Sequence, residues 1–157
     1  MQAYPLLTKP VFQDYIWGGR RLGTELGKAI PDEGQWAESW EVVDHAQQQS
    51  VVTNGELEGE ELGHIARSHS KWLLGDGELR QVPLLLKYLD CNRVLSVQVH
   101  PGDAYAKAMS TPDLGKTEAW YILAAEPGAK LYAGLKAGVG PADLRAALAA
   151  GSVDDCL

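Results

Sequence analysis

The sequence predicts a mostly β domain with two or three helices attached. Three observations carry that expectation. Seventeen glycines and eight prolines divide 157 residues into short segments, which suits strands and turns better than long helices. Several of those segments alternate apolar and polar residues with the period of a strand. Apolar residues make up 45% of the chain and charged residues 22%, enough for one hydrophobic core and too apolar for disorder.

In chain order, residues 36–43 (WAESWEVV) and 50–53 (SVVT) read as strands, with Asn54-Gly55 as a turn after them. Residues 59–74 change to helical spacing, placing Leu62, Ile65, His69, Trp72 and Leu73 on one stripe with Gly75 as the stop. The run LLLKYL after Pro83 is too short to assign by pattern. Residues 94–100 (VLSVQVH) alternate cleanly and end at Pro101-Gly102. Residues 117–124 and 130–133 flank Glu126-Pro127-Gly128-Ala129, the pattern of a hairpin. Residues 141–150 (PADLRAALAA) form a helix with Pro near its first position and Gly151 as its stop. Ser152 then reads as an N-cap with Asp154 and Asp155 behind it, but Leu157 ends the text after barely one turn. The expectation is one domain over residues 1–157, cut within an element, with no repeat and no linker.

The formal charge is −7 and the pI about 5.0. Nucleic acid and anionic membranes are excluded as main partners, because both need a basic face. A small phosphorylated substrate is not, since two or three well-placed Lys or Arg residues hold one phosphate. No run reaches the ~18 apolar residues of a membrane-spanning helix, and the start, MQAYPLLTKPVF, lacks the pattern of a secretory signal. Two cysteines, Cys91 and Cys156, are too few for a disulfide scaffold and lack CxxC spacing. A cytoplasmic protein is expected, and no oligomeric state follows from the sequence.

The chemistry gathers in two places. Alternation puts Ser96, Gln98 and His100 on one face of their segment and Leu95, Val97 and Val99 on the other. Glu118 follows, two residues after Lys116. An amide oxygen, an imidazole nitrogen and a carboxylate form a donor set that suits zinc, with manganese or iron behind it. On spacing alone, the same row reads first as the solvated face of an amphipathic strand. Lys87 within LLLKYL is open to a snorkelling role, Trp17 beside Gly18-Gly19 to a packing role over a turn, Ser96 to an exposed strand position, and Lys116 to a surface loop. His45, His64 and His69 carry no pattern of their own.

Taken in order, IWGGRRL (16–22), WAESWEV (36–42), PLLLKYLD (83–90), LSVQVHP (95–101) and GKTEAWYIL (115–123) resemble the type I mannose-6-phosphate isomerases, in particular the shorter bacterial form. The Q-x-H-P and K-x-E pair, in that order, is the specific part of the likeness. The resemblance implies a cupin-like β-barrel (jelly roll) with attached helices, incomplete at the C-terminus. It implies reversible, zinc-dependent isomerisation of mannose 6-phosphate and fructose 6-phosphate through an enediol. Gln98, His100 and Glu118 fall where the family places three zinc ligands, and Lys116 where it places an active-site lysine. Trp17, Glu38, Lys87 and Ser96 fall in the blocks that line its substrate pocket, with Lys87 and Ser96 toward phosphate or sugar oxygens. Family members run well past residue 157, and there carry a further histidine ligand and a catalytic arginine. The alternative expectation is therefore a non-catalytic, truncated cupin that binds carbohydrate or pairs with another chain.

Overall fold

The computed structural model describes residues 2–110 and 114–157. The chain divides into two compact units, Met1–Ser96 and Val97–Leu157.

The first unit contains strands β1 (Val11–Gln13), β2 (Glu38–Val42), β3 (Asp44–His45), β4 (Gln48–Gln49) and β5 (Leu86–Leu89), and helices α1 (Arg21–Thr24), α2 (Leu62–Ser68) and α3 (Ser70–Leu74). β2 is the centre of a three-stranded antiparallel sheet ordered β1-β2-β5. The strand expected at 36–43 is this central strand. The LLLKYL run, undecided by pattern, resolves as β5. The expected strand at 50–53 reduces to isolated bridges, Thr8 with Val52 and Val51 with Glu61. There the backbone turns instead into a 3-10 turn, Gly55–Leu57, entered through Gly55 at a φ of 69°. Glycine adopts that conformation without a Cβ penalty.

The helical stripe at 59–74 is real but broken. α2 buries Leu62, Ile65 and Ala66 and stops at His69, whose φ of −126° and ψ of 38° interrupt the helix before α3. Ser68 Oγ donates to the His64 carbonyl at 2.8 Å, the i−4 back-bond that competes with helix geometry. Val52, Leu57 and Ile65 form the core here, with Leu6, Trp72 and Leu73 packed against it. Buried Asp90 is satisfied by the Arg21 N–H at the start of α1, at 2.8 Å.

The second unit carries α4 (Asp103–Ala108), α5 (Pro141–Ala150) and a final 3-10 turn, Val153–Cys156. α5 begins and ends where the sequence places it. Pro141 occupies its first turn, and the Gly140 N–H donates to Asp143 Oδ2 at 2.8 Å. Gly151 closes it at a φ of 70°, with the Ser152 N–H returning to the Ala147 carbonyl at 2.9 Å. The expected Ser152 cap forms no side-chain bond. The Lys136 N–H donates to the Cys156 carbonyl at 2.8 Å, tying the final turn back to the chain.

The strands expected at 94–100, 117–124 and 130–133 form no ladder among the described residues. The turn between the last two is present, closed by the Ala129 N–H on the Glu126 carbonyl at 3.0 Å. Alternation marks a segment fit for a sheet, but a ladder also needs a neighbouring strand. Here Val99 is 87% and Tyr121 86% exposed, and the whole run 120–123 is open to solvent. Among the described residues, no helix is long and apolar enough to cross a membrane.

Candidate active site

In the first unit, two of the expected residues, Glu38 and Lys87, lie on one face of the sheet. Glu38 lies opposite Gln13 on β1, and Trp40 opposite Val11 on β1 and Lys87 on β5. Directly opposed residues share a face, and so do residues two apart on one strand. Gln13, Glu38, Trp40 and Lys87 therefore project together. Glu38 is 5% exposed, and both of its carboxylate oxygens are engaged. Lys87 Nζ donates to Oε1 at 2.9 Å, and the Trp40 indole N–H donates to Oε2 at 2.5 Å. Lys87 thus lies against a buried carboxylate instead of reaching for water.

Trp17 lies just before the Gly18-Gly19 pair. Its ring stacks on Tyr15, with centroids 5.8 Å apart and planes at 29°. The Trp17 carbonyl accepts from the Asn92 and Arg93 N–H groups at 3.0 and 3.1 Å. Gly18 is required where it is: a Cβ there would lie 2.7 Å from Ala37 Cα. The loop therefore presses against the residue before Glu38. Burial and the charges of Glu38 and Asp14 push the Tyr15 phenol above its ordinary range. Burial, then Asp90 and Glu38, push the Cys91 thiol up against the opposing pull of Lys87. Ser96 is exposed at the end of this unit.

In the second unit, Lys116 Nζ lies 3.0 Å from Glu118 Oε1 and 3.4 Å from His100 Nε2. The backbone explains the meeting. The Lys116 N–H donates to the Pro101 carbonyl at 3.0 Å, and the Gly115 N–H to Asp103 Oδ1 at 3.0 Å. A Cβ at Gly115 would lie 2.5 Å from the Gly102 carbonyl carbon, so only glycine allows this approach. Gln98 is exposed two residues ahead of His100.

Among the described residues, no group of three or more His, Cys, Asp and Glu side chains gathers. His100 and Glu118 nevertheless both lie within reach of one positive charge, the Lys116 ammonium. An imidazole nitrogen and a carboxylate oxygen near a common cation are donors a divalent metal could use. Two concavities are lined by none of these residues, one of about 500 Å³ along residues 130–136 and one of about 380 Å³ between Tyr4, Leu6, Trp72 and Leu73. Neither brings an acidic or imidazole side chain into its wall, so the chemistry favours the two side-chain clusters.

Trp40 and Gln13 were absent from the sequence expectation. Trp40 was within reach of it, two residues after Glu38 in WAESWEV. Gln13 is identified only by the register of β1 against β2.

Residues 6–124 match the family described as phosphomannose isomerase type I, catalytic domain. The chain is 44% identical over 132 residues to the probable mannose-6-phosphate isomerase GmuF of Bacillus subtilis (strain 168), covering 84% of this chain and 41% of that protein. It is 41% identical over 155 residues to the mannose-6-phosphate isomerase of Streptococcus mutans, covering 99% of this chain and 48% of that one. Its structure resembles the crystal structure of mannose 6-phosphate isomerase from Bacillus subtilis with a TM-score of 0.88 at 33% identity. That match covers 98% of this chain and 48% of the other. The expected β scaffold with attached helices agrees with it, and the chain spans less than half the length of these relatives.

Proposed function

Because the chain belongs to the family of type I phosphomannose isomerase catalytic domains, we propose that it carries active-site residues for interconverting mannose 6-phosphate and fructose 6-phosphate, with one zinc ion held by Gln98, His100 and Glu118. The observation that carries this reading is the Lys116 ammonium between Glu118 and His100, within the part of the chain that the family covers.

The reaction moves a proton from C2 to C1 and shifts the carbonyl from C1 to C2, passing through an enediol. Oxygen atoms gain and lose protons on the way, so a donor at hydrogen-bond range stabilises them as charge develops. Lys116 holds such a proton at Nζ, and Glu118, 3.0 Å away, fixes the direction of that amine. When bound, zinc would add Lewis-acid polarisation of the sugar oxygens. The resemblance to the family implies a further histidine ligand beyond residue 157, which belongs to the proposed set.

The Glu38–Lys87 pair offers an acceptor beside a donor, and its charges cancel. That suits the neutral hydroxyls of a sugar better than a phosphate dianion. Trp17 supplies an apolar wall, and the exposed Ser96 hydroxyl can serve either a sugar oxygen or the phosphate. Cys91 and Cys156 are both free thiols, which fits a reducing cytoplasm.

A coupled assay for fructose 6-phosphate, run with and without zinc on the 157-residue chain and on a longer chain that supplies the completing histidine, tests this directly. Zinc-dependent turnover that disappears in His100→Ala supports the reading. The second reading, a carbohydrate-binding or chain-pairing module without turnover, is favoured by the exposed apolar run at 120–123. Sugar-phosphate binding without turnover in either chain would select it. Absence of turnover in both chains, without binding, would remove the isomerase reading.

A further inference from the structure

One polar group on the sheet face has no partner. The Gln13 side-chain Nε2 is buried and makes no hydrogen bond. Its main chain is satisfied, since the Gln13 carbonyl accepts from the Ala37 N–H at 2.7 Å. Glu38 lies directly opposite and accepts from Lys87 and Trp40, but makes no bond to the Gln13 amide.

A buried amide N–H left without an acceptor is costly, and folded proteins leave few of them. Leucine would fill a comparable volume on β1 without an orphaned donor. A glutamine there makes sense where an acceptor comes from outside the chain. The acceptor must be compatible with a buried carboxylate immediately across the register. A dianionic phosphate is disfavoured beside Glu38, whereas a hydroxyl or carbonyl oxygen is not.

We infer that Gln13 is a substrate-binding residue: its Nε2–H donates to a neutral oxygen of the bound sugar phosphate, beside the Glu38–Lys87 pair. This rests on the proposed isomerase reading and adds the residue that selects a sugar oxygen over the phosphate on that face.

The test is Gln13→Leu in the 157-residue chain, read by thermal unfolding and by calorimetric titration with mannose 6-phosphate. The inference expects an unfolding temperature equal to or above that of the parent and affinity weakened by roughly 5- to 30-fold. Gln13→Met, unbranched and lacking the N–H, gives the same pair of readouts if leucine does not fit. Equal affinity in parent and variant would overturn the inference and leave the isomerase reading standing. A fall of several degrees in unfolding temperature would also overturn it, because the amide would then have an internal partner. A parent that binds no sugar phosphate would remove both.

Discussion

Lys87→Met separates a buried ion pair from a surface one. In the folded chain the Lys87 and Glu38 side chains are 19% and 6% exposed, with 2.9 Å between Nζ and Oε1. Removing the lysine leaves the carboxylate buried, with only the Trp40 indole N–H on its other oxygen. Breaking a buried pair from one side costs about 3–5 kcal/mol. The surviving indole hydrogen bond argues for the lower end, about 3 kcal/mol. For a chain of 157 residues, each kcal/mol moves the unfolding temperature by about 2–4 °C, so Lys87→Met is expected to lose about 6–12 °C. Glu38→Gln in the same chain removes the stranded charge, and the double variant should recover most of that loss. A double-mutant cycle by chemical denaturation measures the coupling. A cost below about 0.5 kcal/mol for Lys87→Met, the range of a solvent-exposed pair, would refute the burial argument.

Two further predictions follow from the site. The Cys91 thiol and the Tyr15 phenol titrate above their ordinary values of 9.0 and 10.0 in the folded chain. From pH 9 upward the unfolded chain therefore releases these protons first, and stability should decline with rising pH. Denaturation midpoints between pH 8 and 11 check the sign, and Cys91→Ser should remove the earlier part of the decline. Gly115→Ala places a Cβ against the Gly102 carbonyl carbon. It should cost about 1–3 kcal/mol, measured by thermal unfolding, and should lower any zinc-dependent turnover by displacing Lys116.

Much of the fold's local structure is legible in the sequence. α5 declares both of its ends, because Pro141, Asp143 and Gly151 satisfy its terminal backbone groups within the segment itself. β2 is legible for the same local reason, its alternation extending through Glu38 and Trp40. The break at His69 is not, because the apolar stripe continues through it and only backbone geometry interrupts the helix. Residues 94–100 and 117–124 fail for a different reason: their pattern specifies a surface to be covered but not the strand that covers it. Among the site residues, the meeting of Lys116 with Glu118 follows from K-x-E spacing. The approach of Lys116 to His100 depends on how Gly115 packs against Gly102. Gln13 is the extreme case, since its neighbours come entirely from strand register.

The open run at 120–123 carries a consequence for handling the protein. Trp, Tyr, Ile and Leu in succession, without charge or proline, make a strong template for intermolecular β-stacking. Glu118 and Glu126 flank that run in the sequence, and flanking charges of this kind act as gatekeepers against aggregation. Glu118 therefore guards solubility as well as facing Lys116. Neutralising it would withdraw the guard and the proposed ligand together, so precipitation of such a variant would mimic a damaged metal site. His100, farther along the chain from the apolar run, is the cleaner residue on which to question that site.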